Sequence, residues 1–396
     1  MNNRVGVDES SVVNPNTTRL QALYEHFRKR KSMWIIFFII LVVLIIVVPT
    51  TIVLVNKAKR EKTSTMEITT EIEITTERTT TTGTTSEQLL STVIIDKNMK
   101  WKQSASTVAG GNGQGSELNQ LDAPSGIYVD DDDQSIYIAD TDNHRIVRWK
   151  FGANNGEIVA GGNVSGNEKY QLKQPTDVIL DQEKKYLIIC DTGNFRLIKW
   201  SRQNSQDQEI LIPFILCFAL AIDNNGDFYI SDWLNNKVIR WQEGNKEDIL
   251  VAGGNGKGNS FNQLDQAKQI FVDKYHSVYV ADFGNDRVMK WTKNATEGIL
   301  VAPENVSNQN RSTMLKPRGV IVDHTGNIYV SDATGHHIMR WSPDAREGIA
   351  IVGKQQSGSD STQLTNPGYL SFDRSGNLYV VDAGNHRIQN FTIDLN

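Results

Sequence analysis

Cysteine is nearly absent: Cys190 and Cys217 are the only two in 396 residues. A fold stapled by several disulfides is therefore excluded. An excess of basic charge is absent too, with 41 Lys+Arg against 46 Asp+Glu and a formal net charge of −5, so the chain is not a nucleic-acid binder by composition. Long apolar runs are also missing, with one exception. Trp34 to Val48 are fifteen uninterrupted apolar residues, and the run resumes at Ile52–Val55 after Pro49-Thr50-Thr51.

Residues 34–55 carry no charge and reach the roughly 20 positions that a helix needs to cross a bilayer. A polar tail of 33 residues precedes the run, and Lys57, Lys59, Arg60 and Lys62 follow it. That is the pattern of an uncleaved anchor rather than of a signal peptide. Six basic residues lie before the span (Arg4, Arg19 and Arg28 to Lys31) against the four just after it. The positive-inside bias thus puts residues 1–33 in the cytoplasm and makes the chain a single-pass type II membrane protein, its C-terminal part extracellular or lumenal. Two further features agree. Thr63 to Thr85 contain 12 Thr in 23 residues, the composition of an O-glycosylated stalk over 56–95. Five N-x-S/T sites lie beyond it, at Asn163, Asn294, Asn305, Asn310 and Asn390, open to glycosylation outside the cell.

From residue 96 onward the sequence repeats. Ala139-Asp-Thr-Asp-Asn-His-Arg-Ile-Val-Arg-Trp149 has counterparts ending at Trp200, Trp241, Trp291, Trp341 and Phe391, and the repeated Asp falls at 140, 191, 232, 282, 332 and 382. Spacings of 51, 41, 50, 50 and 50 are those of a solenoid, a propeller or an array. Each copy holds short β-branched runs of strand length, as in Gly126–Asp130, Ser135–Asp140, Arg145–Trp149 and Glu157–Ala160, with turn residues between them. Gly226, Gly326 and Gly376 sit where the first two strands turn and a positive φ is needed. Four antiparallel strands per copy make a propeller blade. The sixth copy stops after its third strand, at Phe391, while Ser106-Thr-Val-Ala-Gly-Gly111 precedes the first copy as an orphan fourth strand. Pairing the two closes a ring and leaves no free edge.

The frame Pro-x-Gly-Ile-x-Val-Asp, Ile-Tyr-Val-Ala-Asp, Asn-His-Arg-Ile resembles the NHL repeat over roughly residues 104–396. Asn143-His144-Arg145 and Asn385-His386-Arg387 match fully, whereas copies three and five drift to Asn235-Asn-Lys237 and Gly335-His-His337. The resemblance implies an all-β, six-bladed propeller over 96–396 and leaves the function open. Two cysteines cannot fill a RING-type zinc module, which removes the ubiquitin-ligase role of some tripartite-motif NHL proteins. NHL-like peptidyl-amidating lyases use histidines and a tyrosine in a central cavity; the innermost strands here contain no His, so that chemistry transfers to no residue.

His144, His336 and His386 share one slot of the frame and are expected to hydrogen-bond their own turns rather than to gather around a metal. The repeated Trp and Phe391 read as wedges between blades, and the Gly-rich segments 108–115 and 251–258 as connectors anchored by Leu121, Leu172, Leu264, Leu315 and Leu364. The Asp130–Asp133 run reads as a solvated turn, lacking the alternating ligand spacing of a calcium loop. Cys190 and Cys217 fall on the same face of adjacent blades, so outside the cell they are the candidate disulfide, subject to a Cα separation that is not legible in the sequence.

The irregularities carry more. Small residues follow the repeated Asp in most copies, but blades 3 and 4 have Trp233 and Phe283, and in blade 3 the stretch Asp207 to Phe218 replaces the Gly-rich connector. Trp233 and Phe283, with Phe195, are therefore either a ligand face or a cover for the surface that the short connector leaves bare. Residues 96–396 carry 30 Lys+Arg and 37 Asp+Glu, net −7, which argues against nucleic acid as a partner. The expected function is a membrane-anchored recognition or scaffold propeller for a protein, peptide or glycan, without cofactor. The alternative is a membrane-anchored, metal-dependent lyase or lactonase.

Overall fold

The computed structural model describes residues 99–395, apart from 163, 205, 246 and 303–315. The tail, span and stalk expected over 1–95 lie outside the described residues, as do Asn163, Asn305, Asn310 and Leu315.

Six four-stranded antiparallel sheets form the blades of a propeller, each built from consecutive strands except the last. The innermost strands run Pro124–Asp130, Asp177–Leu180, Cys217–Ile222, Ala267–Val272, Pro317–Val322 and Pro367–Phe372. The second strands, such as Ser135–Asp140 and Phe228–Asp232, are buried at every position except Tyr186 of blade 2. Neighbouring blades cover both faces of a blade, so these strands carry unbroken apolar runs instead of an alternating pattern. Trp149, Trp200, Trp291, Trp341 and Phe391 are buried as wedges. Trp241 is only half-buried, stacked on Phe228 with ring centroids 6.0 Å apart. Leu121, Leu172, Leu264 and Leu364 are fully buried beneath their connectors.

The ring closes as the ends of the repeat require: Ser106–Gly110 pairs with Arg387–Phe391, Ser106 opposite Asn390 and Gly110 opposite Arg387. A second closure follows outside the blade, where Lys100–Trp101 pairs with Ile393–Asp394. Trp101 is buried against Tyr329 and Phe372 and donates its indole N–H to the Gly376 carbonyl at 2.9 Å. The chain thus enters the propeller beside the turn between the first and second strands of blade 6.

The Asn-x-Arg signature has a concrete task. In blade 1, Arg145 Nε donates to Asp140 Oδ2 at 2.7 Å, Asn143 Nδ2 to the same oxygen at 2.9 Å, and the Arg145 Nη atoms to the carbonyls of Ser116, Glu117 and Gln120. The arrangement recurs around Arg196, Arg287 and Arg387. In these four blades a buried ion pair, with the Nη atoms of its Arg on three connector carbonyls, ties the connector to the blade that follows it. Blade 3 has no long connector to hold, and there Arg is replaced by Lys237, which lies 3.5 Å from Asp248.

Three expectations change. His144, His336 and His386 do not serve their own turns. Their Nδ1 atoms accept N–H bonds from Gln174, Asn366 and Ala123 of the next blade, each at 3.2 Å, so the slot is a blade-to-blade tie. The Asp130–Asp133 run is not a solvated turn: Asp130 is buried and bound by Lys184 at 2.6 Å, Asp132 meets Lys184 and Arg374, and Asp133 meets Arg148 and Arg202. Cations from blades 1, 2 and 6 converge on it. Residues 207–218 are mostly strand: Gln208–Pro213 forms the fourth strand of blade 2, and only 214–216 link it to Cys217.

Candidate functional site

The innermost strands start at one end of the channel, on the face that also carries the connectors and the turns after the repeated Asp. The x of each Pro-x-Gly slot therefore lines the channel mouth, in order Ser125, Thr176, Phe218, Lys268, Arg318 and Gly368. Blades 4 and 5 place cations side by side, and blade 3 adds a ring. Lys268 Nζ lies 3.6 Å from the Phe218 ring centroid, 5.5 Å from that of Trp233 and 5.3 Å from that of Phe283. The Arg318 guanidinium carbon lies 5.9 Å from the Phe283 ring. Trp233 and Phe283 each come from a turn after a repeated Asp, which is why residues 50 positions apart in chain order meet at one ammonium.

Among the described residues, neither Lys268 nor Arg318 has an acidic partner. Burial pushes the Lys268 ammonium down to about 8, and the Arg318 charge acts in the same direction. Burial likewise lowers Arg318. The Arg318 Nε and Trp233 Nε1 atoms are buried with no hydrogen-bond partner among the described residues. Lys316 is different, since it is held 2.8 Å from Asp286 Oδ1 while lying 5.2 Å from the Phe283 ring centroid.

One residue further down each inner strand the channel is closed. Tyr369 of blade 6 reaches across to donate to the Phe218 carbonyl at 3.1 Å, and Thr176 donates to the same carbonyl at 2.8 Å. Gln269 of blade 4 spans to blade 6, donating to Leu370 O at 2.9 Å and accepting from the amides of Leu370 and Val320. This plug requires glycine opposite it: a Cβ on Gly319 would come within 2.6 Å of Gly368 O and 2.9 Å of the Gln269 carboxamide. Asp177 accepts amide bonds from Leu220 and Val178, and burial pushes its carboxyl up to about 8. Burial raises the Tyr369 hydroxyl well above its usual value, and the Asp177 charge adds to it. Among the described residues no three His, Cys, Asp or Glu side chains come together as a metal set.

Of the expected ligand face, Trp233 and Phe283 do meet, through Lys268, and both are half-buried rather than exposed. Phe195 stands apart. It occupies the histidine slot of blade 2 with a positive φ of 55°, is half exposed, and gives its carbonyl to Ile215 N at 3.0 Å. Cys190 and Cys217 form a disulfide with Cα atoms 5.1 Å apart. It crosses the boundary between blades 2 and 3 where the connector is shortest and holds the strand that presents Phe218. Asn294 lies exposed on a turn of blade 4, and Asn390 lies half-buried inside a strand of blade 6. Lys268, Arg318 and Phe218 were missed in the sequence because each fills a slot that varies from copy to copy. Reading that one slot down the six copies would have found them.

The model of the NHL repeat matches residues 121–149. No curated protein matches the chain. Among solved structures, a protein of unknown function from Bacteroides thetaiotaomicron is similar at 15% identity, over 74% of this chain and 77% of that one, with a TM-score of 0.59. An auxiliary nutrient binding protein from the same organism is similar at 14% identity, over 74% and 77%, with a TM-score of 0.56. A gluconolactonase from Xanthomonas campestris is similar at 10% identity, over 74% of this chain and all of that one, with a TM-score of 0.52. At such identities the likeness is one of fold. The globular part of this chain is a six-bladed β-propeller that carries an NHL repeat.

Proposed function

We propose that this chain is a membrane-anchored recognition propeller, held by residues 34–55 with its propeller outside the cytoplasm, and that its ligand docks at the channel mouth on Trp233, Phe283, Lys268 and Arg318. The observation that carries this reading is the pair of adjacent, desolvated cations without an acidic partner among the described residues, set among three aromatic rings over a closed channel. Desolvated charge without a partner costs stability, and a cost retained beside three aromatic rings supports a binding role for the cluster. Chain entry at Trp101, by the Gly376 turn, is at the opposite end of the inner strands from Lys268.

The competing enzyme reading places a metal-dependent lyase or lactonase site in the channel. The groups that the inner strands direct there, Asp177, Gln269 and Tyr369, are engaged by protein hydrogen bonds. The test is a glycan and peptide array probed with the wild-type chain and with a Trp233→Ala/Phe283→Ala variant. Loss of the bound signal with a melting temperature little changed supports the reading. A large drop in melting temperature assigns the two rings to covering the short connector, and zinc or calcium retained stoichiometrically through chelation supports the enzyme.

A further inference from the structure

We propose that the mouth reads a carboxylate: the Arg318 guanidinium and the Lys268 ammonium take its oxygens, the Trp233 indole N–H adds a third donor, and the Trp233 and Phe283 rings bear on the flat part of the ligand next to it. This inference rests on the mouth being the ligand site and specifies what is bound there. Four features of the site converge on it. The Arg318 fork suits a planar acceptor with two oxygens. Arg318 Nε and Trp233 Nε1 are buried donors with no acceptor among the described residues, and an orphaned donor in an apolar setting is stabilised by an incoming acceptor. The two cations hold the same register position on neighbouring inner strands, each one residue past the position opposite the repeated Asp, and the Arg318 charge acts on Lys268. The plug of Gln269 and Tyr369 closes the floor one residue below, which limits the site to a small head group.

The charged groups around Lys268 are few. Arg318 stands on the next inner strand, Lys316 is spent on Asp286, and Asp177 and Tyr369 lie below with their hydrogen bonds made. Blade 3 contributes only the apolar Phe218 and Trp233 to the contact. The Lys268 ammonium titrates near 8 when the site is empty, so an incoming anion holds the proton on and binding weakens as pH rises past that value.

The experiment is calorimetric titration of the full chain in detergent or nanodiscs with four probes: D-glucuronate, glucose, N-acetyl-phenylalanine and its amide. Expected at pH 7 is binding of at least one acid, about tenfold or more tighter than its neutral counterpart, as a charge-assisted bond gives. The sugar and amino-acid arms tell an acidic glycan from a peptide C-terminus. Lys268→Met and Arg318→Met should each remove that preference, and raising the pH from 7 to 9.5 should weaken the acid but not the neutral probe. Equal affinity for acid and neutral probes, or a preference that survives both substitutions, overturns the proposal. So does a preference for inorganic sulfate or phosphate over every carboxylate. If ligands found on the array are lost in Trp233→Ala/Phe283→Ala but are indifferent to Lys268→Met, the carboxylate inference fails while the mouth stands. Carboxylate binding that needs Lys268 but neither ring confines the mouth reading to the cations.

Discussion

Replacing Lys268 by Met should make this propeller more stable at neutral pH. The ammonium is driven from its ordinary 10.5 to about 8 by burial and by Arg318, a shift of about 2.5 units, which at 1.36 kcal/mol per unit is about 3 kcal/mol against the charged form. Its contact with the Phe218 ring at 3.6 Å returns about 1 kcal/mol. Methionine keeps the length and apolar stem of the side chain without the charge, so the net gain is about 2 kcal/mol. For a domain of nearly 300 residues, an unfolding entropy of about 2.1 cal/mol/K per residue turns this into a melting temperature about 3 °C higher. The pH dependence gives a second handle. A lysine whose folded pKa is depressed costs the folded state its full penalty below about 8, and the cost fades as pH rises to 10.5, above which both states are neutral. The advantage of Lys268→Met should therefore be complete at pH 7 and nearly gone at pH 10.5. Differential scanning calorimetry at those two pH values tests both. A variant that melts at or below the wild type at pH 7, or one whose advantage does not change with pH, would refute the view that Lys268 is an uncompensated cation.

Reduction should weaken the boundary between blades 2 and 3. The Cys190–Cys217 bond closes a loop with a sequence separation of 27, worth about 3.5 kcal/mol by loop entropy, and an unchanged thermal melt in Cys190→Ala/Cys217→Ala would sink this. Arg387→Ala removes one member of a buried pair with Asp382 at 2.7 Å and should cost about 3 kcal/mol or more. Lys237→Ala, at the looser equivalent site, should cost under about 1 kcal/mol; equal urea midpoints for the two variants would contradict the connector-clamp role. Gln269→Leu strands three backbone groups of blades 5 and 6 and should cost about 3 kcal/mol or more. Hydrogen exchange that leaves Val320 and Leu370 as protected as in the wild type would show that the plug is dispensable.

Much of the fold was legible because a propeller repeats its own constraints. The Asp at 140, 191, 232, 282, 332 and 382, the strand-length runs between turns, and the missing fourth strand of copy six define blade number and closure without any long-range information. Each of those features is local: a hairpin glycine, an apolar run, an Asp five residues before an Arg. The candidate site was only half legible. Trp233 and Phe283 stood out because they break a column of small residues. Phe195 was grouped with them as an aromatic, but it fills the histidine slot of blade 2 and enters none of the ring contacts around Lys268.

By itself the sequence determined the number of blades, the pairing of the two ends and, among the described residues, all of the wedges and anchors but Trp241, since each follows from short-range pattern repeated around the ring. Only the tertiary structure decided which residues from different copies share a space. Lys268, Arg318, Trp233 and Phe283 are separated by up to 85 positions and become neighbours because the ring brings equivalent slots of adjacent blades to one channel mouth. The tertiary structure likewise sent the histidines to the next blade and drew cations from three blades onto the Asp130–Asp133 turn. Contacts between blades depend on the angle at which one repeat packs on the next, and no single repeat encodes that angle.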